Sequence, residues 1–256
     1  MRFLRPVATA LALPIVIVAV WWAATRGTTN PFVPKPDLMV VDLVRTWIGP
    51  LMAQQVLPSL YRLGIALAAA IVVGIVLGLV IGTSVVARKL TGPIFEFIRA
   101  VPPPVLLPVL LLVMGIDDRS KIFLVFLGCL WPILLNTIDG ARAADSVLAA
   151  TTVSYGLRGW VRFRHFTLPS ALPRIMTGVR LALPISLILM VVSEMYAALD
   201  GLGYQVMLFK QTFETGAMWA GILIIGLIGI VMAFLYSAVE RRVLGWYRGQ
   251  REMEKQ

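Results

Sequence analysis

The chain alternates between long apolar blocks and shorter stretches dense in charge, proline and glycine. Six blocks stand out: Val7–Ala24, Leu60–Gly82, Pro103–Met114, Ile122–Ile138, Ile175–Ala197 and Trp219–Val239. A helix needs about 20 apolar residues to cross the hydrocarbon core of a bilayer. The blocks therefore predict an all-α membrane protein with about six transmembrane helices. The third block is short and proline-rich, and its helix is expected to begin earlier, near Phe95. Between the blocks lie a segment over 26–57 carrying the turn-rich NPFVPKPD from Asn30, a short basic loop over 83–99, a long loop over 139–174, and a loop over 198–218 carrying GLGY from Gly201. The stretch Asp42 to Leu57 is expected to form a surface helix.

Composition agrees with the blocks. Of the 256 residues, 59% are hydrophobic and 14% charged, with mean hydropathy +0.87. A soluble domain has about a quarter of its residues charged. The net charge is +10 and the pI about 10.4, which on a soluble protein would suggest nucleic acid. Here the basic residues are sorted by side. With a cytoplasmic N-terminus, 16 of the 23 Lys and Arg fall inside: Arg2, Arg5, Arg88, Lys89, Arg99, Arg142, Arg158, Arg162, Arg164, Arg174, Arg180, Arg241, Arg242, Arg248, Arg251 and Lys255. The rest, including Arg62, Arg119 and Lys121, fall outside. The positive-inside bias then places both termini in the cytoplasm. The first block ends on Trp21-Trp22, an interfacial anchor rather than a small-residue cleavage site, and reads as a retained span.

The chain carries one cysteine, Cys129, and one histidine, His165. No internal disulfide is possible, and zinc sites or nucleophilic catalytic sets usually draw on several such residues. Few other residues invite chemistry. Glu194 lies about 34 Å along a helix begun near Ala171, at 1.5 Å per residue. It reads either as an interfacial carboxylate facing headgroups and water, or as a gate or dimer-seam residue. Pro104 and Pro108, with Pro102 and Pro103, loosen backbone pairing at membrane depth, as a pathway lining or as a plain kink; Pro184 is a further candidate kink. Gly74, Gly78 and Gly82 suggest close helix packing. No lysine or arginine falls clearly inside a membrane span, away from its ends, where it would hold an anion in transit.

The inside loop is the most informative stretch. Asp145 can cap a helix over Ser146–Tyr155 that Gly156 ends at its C′ position. Val147, Leu148, Thr151 and Tyr155 share one face of it. A second element from Gly159 carries Trp160, Phe163 and Phe166 among Arg162, Arg164 and His165. Leu168-Pro169 is expected to break it, and Ser170 to cap the span that follows. Such elements either lie on the membrane surface or enter a groove on a soluble partner.

Ala150-Thr151-Thr152, then Gly156, then Leu168-Pro169 and Pro173, resembles the EAA loop of ABC-importer permeases. The family's leading Glu and second Ala are replaced by Ala150 and Thr152. SLYRLGIALAAAIVVGIVLGLVIG from Ser59, RAVPPPVLLPVLLLVMGI from Arg99, SEMYAALDGLGYQV from Ser193 and VERRVLGWYR from Val239 are similar to the nitrate/sulfonate/taurine-type branch. The resemblance implies a multi-pass subunit of the bacterial inner membrane with a type I ABC-importer permease fold. A single permease domain fills 1–256: a first span and outside segment over 1–57, a five-span core over 58–240 with its coupling loop at 139–174, and a basic cytoplasmic tail over 241–256. It implies no catalysis in this chain, ATP and Mg2+ on a separate cytoplasmic ATPase subunit, an extracytoplasmic solute-binding protein, and a second permease copy. By the same resemblance Val147, Leu148, Ala150, Thr151, Thr152, Tyr155, Gly156, Leu168 and Pro169 would meet the ATPase; Pro104, Pro108 and Glu194 stay the candidates, from their own chemistry, to line or gate the pathway. The implied solute is a small anion, a sulfonate, nitrate or taurine-like compound. A vitamin precursor, or a stand-alone channel or carrier, is the alternative.

Overall fold

The computed structural model describes residues 4–28, 32–142, 151–152 and 154–247. The described chain is helical throughout. Its helices are α1 (Leu4–Thr25), α2 (Pro36–Asp42), α3 (Leu57–Thr83), α4 (Val85–Arg99), α5 (Leu107–Met114), α6 (Asp118–Arg142), α7 (Gly159–Arg162), α8 (Leu168–Ala197), α9 (Leu202–Gln211) and α10 (Thr215–Val243). Local chemistry sets several boundaries. Pro36 begins α2 in its first turn, where a missing N–H costs nothing. Ser84 divides α3 from α4: its backbone is extended and its hydroxyl accepts from the Ala87 N–H at 3.2 Å.

Three long helices make the centre, with α6 between α3 and α8. Between apolar helices in lipid, close packing replaces the hydrophobic effect as the associating force. The glycine series of α3 provides it. A methyl group on Gly74 would stand 2.8 Å from Ile133 Cγ2, on Gly78 2.5 Å from Thr137 Cβ, and on Gly82 2.6 Å from Ala141 Cβ. The α6–α8 side uses the same device: Gly140 meets the Ala171 carbonyl and Gly178 that of Pro132. Leu63, Ala66, Ala70, Val125, Ile133, Met176 and Val179 fill the space between.

A second apolar cluster covers one end of the bundle. The segment after α2 winds through wide turns at Leu43–Trp47 and Met52–Val56 before entering α3. It is not the surface helix expected. Trp47 is fully buried among Val206, Phe209 and Ala220, and its indole Nε1 donates to the Ala217 carbonyl at 2.9 Å. The 198–218 stretch likewise holds a packed helix, α9, with Leu202 and Val206 buried against α8 and α10.

Among the described residues, four helical stretches are long and apolar enough to cross a bilayer: Met52–Thr83, Asp118–Arg142, Gly159–Tyr196 and Thr215–Val243. A fifth arises if α4 and the Pro103–Met114 helix, bent by 79° at their junction, form one broken span. The polar stretch over 83–99 is thus a helix rather than a loop. The expected stop at Leu168-Pro169 also fails to interrupt the chain. A wide turn at Phe163–Thr167 leads directly into α8, whose first turn takes Pro169. Ser170 makes no cap there, because helix precedes it.

Candidate coupling loop and buried charge clusters

Val147, Leu148 and Ala150 lie outside the described residues, and the other loop residues are placed. Thr151, Thr152 and Ser154 are helical, and Gly156 stops them at φ +69°. The Leu157 N–H returns to the Thr152 carbonyl at 2.9 Å, the six-to-one bond of a Schellman stop, which needs a left-handed residue at Gly156. Tyr155, 80% exposed, projects beside the stop, and nothing lies within 4 Å of where a Gly156 side chain would start. Thr152 is buried. Leu168 is turned into the bundle, against the cluster of Leu79, Ala171 and Ile175. Pro169 is half-buried in the first turn of α8. The loop therefore presents an exposed turn, or knuckle, at Tyr155-Gly156, and Leu168, further along, packs against the ends of α3 and α8.

At the opposite end of α8 stands a charge cluster. Glu194 is 0% exposed and does not face headgroups or water. Its carboxylate takes the Arg62 guanidinium at 2.9 Å, the Ser59 hydroxyl at 2.8 Å and the Gly203 N–H at 3.0 Å. Arg62, 3% exposed, also donates from Nε to Asp118 at 2.7 Å, and from its terminal nitrogens to the carboxylate and carbonyl of Asp200. Ser59 accepts from the Leu202 N–H at 2.8 Å, and Gln55 from the Gly201 N–H at 2.7 Å. The turn itself needs glycine, since Gly201 has φ +117° and faces the Glu194 carboxylate. Lys121 adds a second buried cation, 3.8 Å from Asp118. Beside them a cavity of about 360 Å³ opens, lined by Arg62, Asp118, Arg119, Lys121 and Asp200.

This cluster binds the start of α3, the start of α6, the end of α8 and the turn into α9 into one unit. Buried charges are tolerated when paired and hydrogen-bonded, as these are. A smaller pair ties the other end: Arg180 meets Glu240, and the Tyr236 hydroxyl donates to the Met176 carbonyl at 2.5 Å. No group of three metal-ligating side chains occurs among the described residues. Sequence reasoning named Glu194 but missed Arg62, Asp118, Asp200 and Ser59. Arg62 and Asp118 were signalled only by charge at the start of an apolar block, and Ser59 and Asp200 carried no such sign.

Pro104 and Pro108 are exposed on the bent α4–α5 pair, while Pro103 packs inward, 3.5 Å from where a Gly128 methyl would stand. Gly128 is near the middle of α6, so the proline break lies at mid-height of the bundle.

Comparison with known proteins places these features. The family described as "binding-protein-dependent transport system inner membrane component" matches residues 70–245. The taurine transport system permease protein of Escherichia coli (strain K12) is 31% identical over 95% of this chain and 91% of its own length. A permease protein of the same organism named for aliphatic sulfonates transport is 37% identical, over 91% of this chain and 90% of its own. The nitrate import permease protein of Synechocystis sp. (strain ATCC 27184 / PCC 6803 / Kazusa) is 30% identical, over 89% and 88%.

Proposed function

The chain belongs to the family of inner membrane components of binding-protein-dependent transport systems, and from that premise we propose that it forms the translocation path for a small sulfonate-type anion in an ATP-driven importer. It is a multi-pass inner-membrane transport subunit, not an enzyme. The solute class is supported by likeness, along nearly the whole chain, to permeases named for taurine and aliphatic sulfonates. In this reading α1 and the bent α4–α5 pair complete six crossings, both termini are cytoplasmic, and two copies assemble around one path. A solute-binding protein delivers the anion to the end carrying the Arg62–Glu194 cluster. A cytoplasmic ATPase, which alone holds ATP and Mg2+, grips the knuckle at Tyr155-Gly156.

The observation that carries the coupling role is the exposed Gly156 helix stop, linked through the Gly159–Thr167 segment to α8. A partner that moves the knuckle moves α8, and with it both ends of the bundle. This is a two-state rigid-body element biased by a ligand on another subunit. Affinity purification from native membranes in mild detergent tests the assembly: an ATP-binding subunit is expected in about equal amount. Uptake of radiolabelled taurine, ethanesulfonate or nitrate by the reconstituted complex tests the solute. A homo-oligomer without an ATPase, reproduced after crosslinking, would overturn the importer reading.

A further inference from the structure

The bent α4–α5 pair carries a charged residue to a depth where none was expected. Phe95 meets the Trp131 ring at 5.6 Å, and Pro103 packs against Gly128. Arg99 lies between Phe95 and Pro103, so its backbone stands level with the middle of α6. Arg99 is exposed and has no hydrogen bond or ion pair among the described residues. An intramembrane arginine is costly and marks a partner or a water-filled path.

The backbone beside it points to water. Residues 102, 103 and 104 are all proline and have no N–H. The carbonyls of Arg99 and Ala100 therefore face no donor three or four residues on, and the Val105 N–H is taken by the Pro102 carbonyl at 3.0 Å. Such acceptors persist at membrane depth only beside protein donors or water. Towards the inner end the basic lining continues. Arg99 lines a cavity of about 190 Å³ with Arg88 and Arg142, Glu96 and Asp139 being the acids present. Arg88 and Arg142 also line a wider cavity of about 600 Å³ with Arg162, where the described lining includes no carboxylate.

We propose that Arg99 is the mid-membrane contact for the permeating anion and that Arg88 and Arg142 carry it to the inner mouth. This rests on the importer reading and names the residues of its exit leg. Arginines spaced along the route attract an anion without trapping it, as passage requires.

The test uses the complete transporter in proteoliposomes, with taurine, ethanesulfonate and nitrate as probes. Arg99→Gln is expected to lower uptake of every anion the wild type imports by about tenfold or more. ATP hydrolysis stimulated by the loaded binding protein should stay near the wild-type rate, and Arg99→Lys should restore most uptake. Wild-type uptake by Arg99→Gln overturns the proposal and leaves the importer reading standing. Should the wild type import none of the probes, the solute class fails, and a second measurement decides on Arg99. In inside-out membrane vesicles, Arg99→Cys is expected to react with the impermeant anion 2-sulfonatoethyl methanethiosulfonate. The chain's own Cys129 is buried and stays silent. No labelling of Arg99→Cys, with or without ATP, places the residue against lipid or protein and overturns the proposal.

Discussion

Arg62 directs its whole guanidinium at groups from three other segments, so its neighbours are not independent. Glu194→Ala removes the fully buried one of Arg62's three carboxylate partners and leaves the buried Gly203 N–H without its acceptor. A buried donor left unsatisfied costs about 1–3 kcal/mol, and thermal unfolding of the purified protein should show a fall in midpoint. The sequence placed Glu194 at the correct end, because helix rise converts residue count into depth. It did not reveal the burial: Arg62 lies 132 positions away, and the direction in which a side chain faces is set by packing rather than by spacing. Gly156 was legible for the opposite reason, since a helix stop is made by the residues beside it. Gly156→Asp puts a side chain and a charge on a left-handed residue at the exposed knuckle. We expect uptake to be abolished with membrane levels unchanged, measured by solute transport and immunoblot of the same vesicles.

At the scale of the helix, the seam between α3 and α6 admits no side chain. Gly78→Leu must push Thr137 and the α6 backbone away. Overpacking of this kind costs about 1–3 kcal/mol, and Gly78→Ala should cost less but stay measurable in detergent unfolding. The four-residue spacing made that seam visible in advance. Two proline signals read as breaks turned out differently, and the difference is physical. Pro102–Pro104 end a helix in fact, because three successive residues lack donors. Pro169 does not, because the wide turn at Phe163–Thr167 runs straight into it and absorbs the change in pitch. Helix α4 went unread because Arg88, Lys89, Glu96 and Arg99 dilute its apolar residues. Trp47 was missed likewise: a turn-rich segment gives no local sign that its tryptophan fills a gap between two distant helices.

For the whole molecule, the apolar blocks gave the membrane class, and the sorting of basic residues gave a sidedness that a direct experiment can examine. An accessibility tag between 26 and 57 is expected to be labelled from outside intact cells; labelling only after lysis would invert the arrangement. The packing of that segment makes the choice of site important, since a tag at Trp47 would unseat the cluster it fills, whereas the exposed turn near Phe32 would not. The cluster around Arg62 also bears on how such a chain can diverge. Ser59 and Arg62, Asp118, and Glu194 with Asp200 come from three separate stretches, yet each satisfies a charge or a polar atom on another. A lineage that loses one of them inherits a defect that only a second, distant change can repair. Across descendants these positions should be kept together or exchanged together, as a linked character that records ancestry better than the freely drifting lipid-facing residues around it.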